Sequence, residues 1–173
     1  MKLHELITSS LTGQATLVIK NANVVNVFTD EIIKADVALC DDTIIGVGEG
    51  FTAPEVIDAG GAYLCPGFID AHVHIESSMV IPDSFARVIM PHGTTTIIAD
   101  PHEIANVAGV AGIRAIYKLT DDLPLRVMFM MPSCVPATPF EESGATLSWR
   151  DINAYFDHPR VLGLAEMMNY PGI

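Results

Sequence analysis

The spacing of hydrophobic residues changes along the chain, and each pattern predicts a different kind of secondary structure. Hydrophobic residues between Leu3 and Leu11 recur at helical intervals, so we expect an amphipathic N-terminal helix within residues 1–15. Over residues 16–65, short β-branched runs alternate with Asn, Asp and Gly, which is typical of antiparallel strands joined by tight turns. The segment "CDDT" between two of these runs predicts a hairpin. The first part of the chain is therefore predicted to form a helix and a small β-sandwich unit.

Residues 66–173 repeat a different pattern, in which a hydrophobic strand is followed by a loop and a helical segment. Four strands are predicted, at residues 68–74 and in the segments "GTTTIIAD", "LRVMFMMP" and "RVLGLAEMMN". The helices between them begin near Pro82, span residues 104–119, and follow Ser148, a favourable N-cap. Strands that alternate with helices predict right-handed βαβ crossovers and a parallel sheet. The predicted fold class is α/β: the first four units of a TIM-like (β/α)8 barrel, preceded by the β unit.

Half of a barrel leaves two strand edges without neighbours, which parallel sheets rarely tolerate. We therefore expect that the chain is a piece of a longer protein or that a partner chain completes it. A homo-oligomer is the expected assembly.

Charge and cysteine content narrow the class of protein. Nine Lys and Arg against twenty-one Asp and Glu give a net charge of −12, which would repel a nucleic-acid backbone. The three cysteines form no Cys-x-x-Cys pair, which fits a reduced, cytosolic protein. The sequence has neither a secretory signal nor a hydrophobic run of about 18 residues. We expect a cytoplasmic protein that binds neither nucleic acid nor membrane.

Two histidines at the end of the first barrel strand are the first candidate for chemistry. Alternation places Asp70, His72 and His74 on one face of this strand, with small hydrophobic residues on the other face packing under helices. Two neutral imidazoles at the carboxyl end of a barrel strand can bind one divalent metal ion. The alternative is that each histidine is hydrogen-bonded separately, which is commoner for an isolated His-x-His. The position after "PGFIDA" favours the metal site.

The segment "ADPHEIANV" follows the second barrel strand and brings three polar residues to the same end of the sheet. Asp100, His102 and Glu103 would lie in a loop where they can bind substrate or support metal ligands. The alternative is a helix N-terminus, capped by Asp100 and favoured by the charge of Glu103. Both interpretations stay open, although capping does not explain His102.

A carboxylate in the fourth strand is the third candidate. Glu166 lies in "LGLAEMMN", where burial without a partner would be costly, so we expect it to meet a cation. A salt bridge with Arg160 is the alternative, although Arg160 lies at the other end of the strand. Cys134 and the methionines of the third and fourth strands are expected to fill the core.

The chain resembles the amidohydrolase superfamily through "PGFIDAHVH" at residues 66–74. Within that superfamily it resembles the bacterial adenine deaminases, through "HVHIESSM", "GTTTIIADPHEIANV", "MPSCVPATP" and "GLAEMMNYPG". The resemblance implies a binuclear metal centre held by His72 and His74. It also implies that Glu166 bridges the two metals where many relatives use a modified lysine. Mixed histidine and carboxylate ligands suit Mn or Fe, with Zn possible.

The resemblance further implies hydrolysis of adenine to hypoxanthine and ammonia. It makes His102 and Glu103 candidates for catalysis, and Glu76, Ser77 and Asp100 candidates for substrate binding. Family members continue for several hundred residues and supply further ligands, so the chain is expected to be an N-terminal fragment. The alternatives are another amidohydrolase acting on a cyclic amide, and a non-catalytic metal-binding or assembly module.

Overall fold

The computed structural model describes residues 2–169, and the chain divides into two compact units, Met1–Pro66 and Gly67–Ile173. The first unit begins with a helix, α1 (Leu3–Thr12), which ends where Gly13 adopts a left-handed conformation. Its strands are β1 (Leu17–Asn26), β2 (Glu31–Cys40), β3 (Thr43–Gly48), β4 (Glu55–Asp58) and β5 (Tyr63–Leu64).

The sheet of the first unit is mixed, not antiparallel throughout. Strands β1, β2 and β3 form the predicted antiparallel meander, with a tight turn at Asp41 and Asp42. Strands β4 and β5, however, pair in parallel with β1, so the expectation of antiparallel pairing is wrong for this segment. The reason is that residues 49–54 carry the chain across to the free edge of β1 instead of turning back along β3.

The second unit is a parallel sheet flanked by helices, which confirms the predicted α/β class. Its strands, in the spatial order β6-β7-β8-β9, are β6 (Phe68–Val73), β7 (Thr94–Ala99), β8 (Arg126–Met131) and β9 (Val161–Leu164). Each neighbouring pair is parallel. The helices are α2 (Pro82–Ile89), α3 (His102–Leu119) and α4 (Trp149–Asn153), with short 3-10 turns at Glu76–Ser78 and Met90–His92.

The core of the second unit lies between the sheet and α3. Phe129 of β8 is fully buried and stacks on Tyr117 of α3, with ring centroids 4.1 Å apart. Arg160 lies over both rings and donates to Asp121 and to the carbonyl of Tyr117. Arg160 is thus engaged at the amino end of the sheet, so the alternative that it neutralises Glu166 is wrong.

Several boundaries and burial predictions need correction. Strand β9 ends at Leu164, so Glu166 lies beyond the strand. Helix α4 ends at Asn153, although the segment "SWRDINAYFDHP" predicts a longer helix. Ile69 is 65% exposed, because β6 is an outer strand with a neighbour on one side only among the described residues. Met131 is buried as expected, but Met167 and Met168 are about half exposed and do not fill the core.

Candidate metal centre

Three of the predicted side chains meet at the carboxyl end of the second unit's sheet. The Nε2 atoms of His72 and His74 are 3.1 Å apart, and Glu166 Oε1 lies 3.7 Å from the first and 3.6 Å from the second. A point in the plane of these three atoms is about 2.0 Å from each, which is the distance expected between a divalent metal and His or carboxylate ligands. The donor set therefore fits a metal ion.

The curvature of the sheet brings these ligands together. His72 lies on β6 and His74 follows its end, whereas Glu166 follows β9, and β6 and β9 are the two outer strands of the sheet. In a flat sheet two intervening strands would separate them. The twist and coiling of a parallel sheet that is curving towards a barrel carry the two outer ends towards each other.

The hydrogen bonds of His74 select its tautomer. Its Nδ1 lies 2.9 Å from the backbone oxygen of Asp100 and 2.9 Å from Glu103 Oε2, and both of these atoms are acceptors. Nδ1 therefore carries the proton, and the lone pair of Nε2 faces His72 and Glu166. Ser77 donates its hydroxyl to the other oxygen of Glu103 at 3.0 Å. Glu103 and Ser77 thus lie beside the three-ligand cluster and support His74.

Glu76 has the helix-capping role that one interpretation of the sequence gave to Asp100. Its Oε1 accepts a hydrogen bond from the backbone N–H of Ile104, in the first turn of α3, at 3.0 Å. Burial raises the pKa of Glu76, and the bond from Ile104 opposes this effect. The residue before α3 is Pro101, and no side chain caps the helix from that position. The alternative interpretation, in which Asp100 caps the helix, is therefore wrong, and Glu76 accepts the hydrogen bond at the helix end. The assignment of Glu76 to substrate binding stays a prediction.

Asp100 and His102 are buried, with 1% and 5% of their surfaces exposed. His102 Nε2 donates to the backbone oxygen of Cys134 at 2.6 Å, and Nδ1 lies 3.6 Å from Asp100 Oδ2. The Asp100 carboxylate raises the pKa of His102, whereas burial opposes this shift. Both side chains are buried within the described residues, and the roles of His102 in catalysis and of Asp100 in substrate binding stay predictions.

The loop after β8 contains contacts that the sequence interpretation missed. Ser133 donates its hydroxyl to the backbone oxygen of Glu166, and the side chain of Glu166 is 48% exposed, not buried as expected. Burial raises the pKa of the Cys134 thiol, but donors from Ser133 and from the backbone of Met168 outweigh this, and the net shift is downward. The sequence could have indicated these contacts, because "PSC" directly follows a barrel strand, at the end where functional residues of such barrels lie.

Within residues 2–169, the structure contains no helix that is long and hydrophobic enough to span a membrane.

Comparison with known proteins places these residues in a family. The model of the amidohydrolase family matches residues 63–172. The chain is 57% identical over 160 residues to adenine deaminase from Clostridium acetobutylicum, covering 92% of this chain and 28% of that protein. It is 52% identical over 170 residues to adenine deaminase from Geobacillus kaustophilus, covering 98% of this chain and 29% of that protein. The chain therefore spans less than a third of the length of these curated relatives.

Solved structures give the same fold at low sequence identity. Atrazine chlorohydrolase from Arthrobacter aurescens, complexed with zinc, superposes with a TM-score of 0.63 at 16% identity, over 86% of this chain and 46% of that chain. A dihydroorotase superposes with a TM-score of 0.61 at 20% identity, over 87% of this chain and 42% of that chain. The match of the family model over most of the sequence and the parallel sheet with its histidines at the carboxyl end lead to one conclusion: the chain belongs to the amidohydrolase family.

Proposed function

We propose that the protein containing this chain is an adenine deaminase, which hydrolyses adenine to hypoxanthine and ammonia. The observation that carries the proposal is the identity of more than half to adenine deaminases from two different bacteria, over nearly the whole chain. The cluster of His72, His74 and Glu166 supports it, because hydrolysis of an amine on an aromatic ring needs an activated water.

His72, His74 and Glu166 would hold the metal, with Glu166 as the carboxylate shared by two cations. Divalent cations in such a site lower the pKa of bound water and so supply a nucleophile near neutral pH. Nitrogen and oxygen donors suit Mn or Fe, and Zn remains an alternative. The proton on Nδ1 of His74 keeps Nε2 available as a ligand.

Glu103 is the proposed catalytic residue of this chain, and Ser77 its partner in substrate binding. Glu103 is half exposed beside the ligand cluster, so one face of its carboxylate can reach a bound base. A purine offers an amino donor, which the carboxylate can accept, and ring-nitrogen acceptors, to which the Ser77 hydroxyl would donate in place of its bond to Glu103. His102 was the other catalytic candidate, and because its ring is buried we assign it a supporting role instead.

The proposed setting is the cytoplasm, and the proposed assembly is a homo-oligomer with adenine as the small-molecule partner. The net charge of −12 fits a protein without nucleic-acid partners. The second candidate function is hydrolysis of a cyclic amide, because the chain shares its fold with a dihydroorotase.

Ammonia release by the full-length protein separates these functions. The protein would be loaded with Mn²⁺ or Fe²⁺ and supplied in turn with adenine and with dihydroorotate as a cyclic amide. We expect ammonia from adenine and no ring opening of dihydroorotate. Ring opening without ammonia release would replace the proposal with the second candidate, and binding of metal without either reaction would favour a non-catalytic module.

A further inference from the structure

Asp100 and His102 form a buried polar pair that the proposed chemistry does not use. Within the described residues, both carboxylate oxygens of Asp100 and Nδ1 of His102 have no hydrogen-bond partner. A buried carboxylate without a hydrogen-bond partner destabilises the fold unless a nearby charge offsets it. The nearest group that can supply such a charge is His102, whose Nδ1 lies 3.6 Å from Asp100 Oδ2.

The hydrogen bonds of His102 indicate its charge. A backbone carbonyl only accepts, so the nitrogen that lies 2.6 Å from the oxygen of Cys134 must carry a proton. The other ring nitrogen lies 3.6 Å from Oδ2 of the Asp100 side chain. A second proton on His102 removes the repulsion between a lone pair and that carboxylate. The pair is therefore best described as an imidazolium beside a carboxylate in a buried site.

This pair connects two loops, one hydrogen-bonded to His74 and the other to the backbone of Glu166. The backbone oxygen of Asp100, at the end of β7, accepts the proton of His74 Nδ1. The loop after β8 is held by His102 through Cys134, and its Ser133 donates to the backbone oxygen of Glu166. One end of the connection thus orients a histidine ligand, and the other contacts the segment that carries the carboxylate ligand.

We propose that Asp100 and His102 are positioning residues, which tie the loop after β7 to the loop after β8 and so hold His74 and Glu166 at ligand distance from each other. The inference rests on the proposed metal centre. Its physical basis is the narrow tolerance of metal bonds: the ligand atoms must stay within about 0.2 Å of their required distances. A link between the two loops restricts the relative movement that would change the separation of 3.6 Å between His74 Nε2 and Glu166 Oε1.

Metal affinity, measured without reference to turnover, tests this inference. The full-length protein would be stripped of metal and titrated with Mn²⁺, and the free ion followed by its paramagnetic resonance signal. The variants are Asp100→Asn and His102→Gln, with His92→Gln as the matched control because His92 is an exposed histidine at the opposite end of β7. We expect the Mn²⁺ dissociation constant to rise about 10- to 100-fold in both variants and to change less than about twofold in the control.

Circular dichroism of each metal-free variant would establish that it is folded. Folded variants that bind Mn²⁺ as tightly as the wild type would overturn the inference and leave the pair with a role in stability only. If either buried variant fails to fold, Ser133→Ala replaces it, because Ser133 is only partly buried and donates to the backbone of Glu166. An unchanged Mn²⁺ affinity in that variant would also overturn the inference. A wild-type protein that binds no Mn²⁺ would instead reject the proposed metal centre, and the positioning role with it.

Discussion

His74 Nε2 lies 3.6 Å from Glu166 Oε1, although the two residues follow opposite outer strands of a four-stranded sheet. This separation depends on sheet curvature, because two strands lie between β6 and β9. Glu103 lies beside His74 for a different reason: it follows β7, which is the direct neighbour of β6. The distance between these two ligand atoms therefore depends on the curvature of the whole sheet.

Removal of either histidine ligand should remove metal from the full-length protein. In His72→Ala or His74→Ala we expect less than half of the wild-type metal content and loss of adenine turnover, because two of the three described donors cannot hold the ion. Elemental analysis after metal stripping and reloading is the measurement. His92→Ala serves as the control, and wild-type metal content in either ligand variant would contradict the assignment.

Neutralising Glu166 should cost at least one metal equivalent. The amide of Glu166→Gln keeps the size of the side chain but cannot bridge two cations as a carboxylate does. Elemental analysis of the full-length variant would measure the number of metal ions per protein, with Glu142→Gln as a control at an exposed carboxylate. Retention of the wild-type number of metals would return Glu166 to a structural role.

Loss of the Glu76 cap should weaken the start of α3. Glu76→Ala leaves the N–H of Ile104 without its acceptor, and the free energy of unfolding should fall by about 1 kcal/mol. Urea unfolding of metal-free protein would measure the change, and Glu142→Ala, at an exposed position, should stay within about 0.5 kcal/mol of wild type. Equal stability of the two variants would show that Glu76 does not act as a cap.

The stability contributed by His102 should depend on pH. The pKa of His102 is raised above its ordinary value of 6.5 by Asp100, so the pair stabilises the fold fully below about 6.5 and less as pH rises through the folded-state pKa. The difference in unfolding free energy between wild type and His102→Gln, measured on metal-free protein, should therefore shrink with rising pH. The Cys134 thiol also titrates nearby, so the pair of proteins should be compared again with Cys134→Ala present. A difference that grows with pH would contradict the assigned charge.

The isolated 173-residue chain should bind metal weakly and associate. Leu162 and Leu164 of β9 and Ile69 of β6 are at least half exposed. Among residues 2–169, each outer strand has a neighbouring strand on one side only, which leaves backbone groups available for pairing. Light scattering should report oligomers or aggregates, and titration should give weaker Mn²⁺ binding than the full-length protein. A monomer that deaminates adenine would show that four strands suffice for a working site.

Local patterns in the sequence were sufficient for most of the fold. Alternation of hydrophobic and polar residues has a period set by the strand itself, so it placed His72 and His74 on one face without knowledge of any neighbour. The alternation of strands with helices likewise determined the parallel sheet, since βαβ crossovers have one favoured hand. The resemblance to amidohydrolases then pointed to Glu166 as the third ligand.

Tertiary structure decided which partner each polar group takes. Glu76 caps α3 across a separation of 28 residues, Arg160 binds Asp121 across 39, and β4 pairs with β1 in parallel. None of these pairings is encoded in a local pattern, because each depends on which distant segment the folded chain brings within about 3 Å. The burial of His102 has the same origin: the sequence marked it as a polar residue at the end of a strand, but only the packing of α3 and the loop after β8 turned its ring inward.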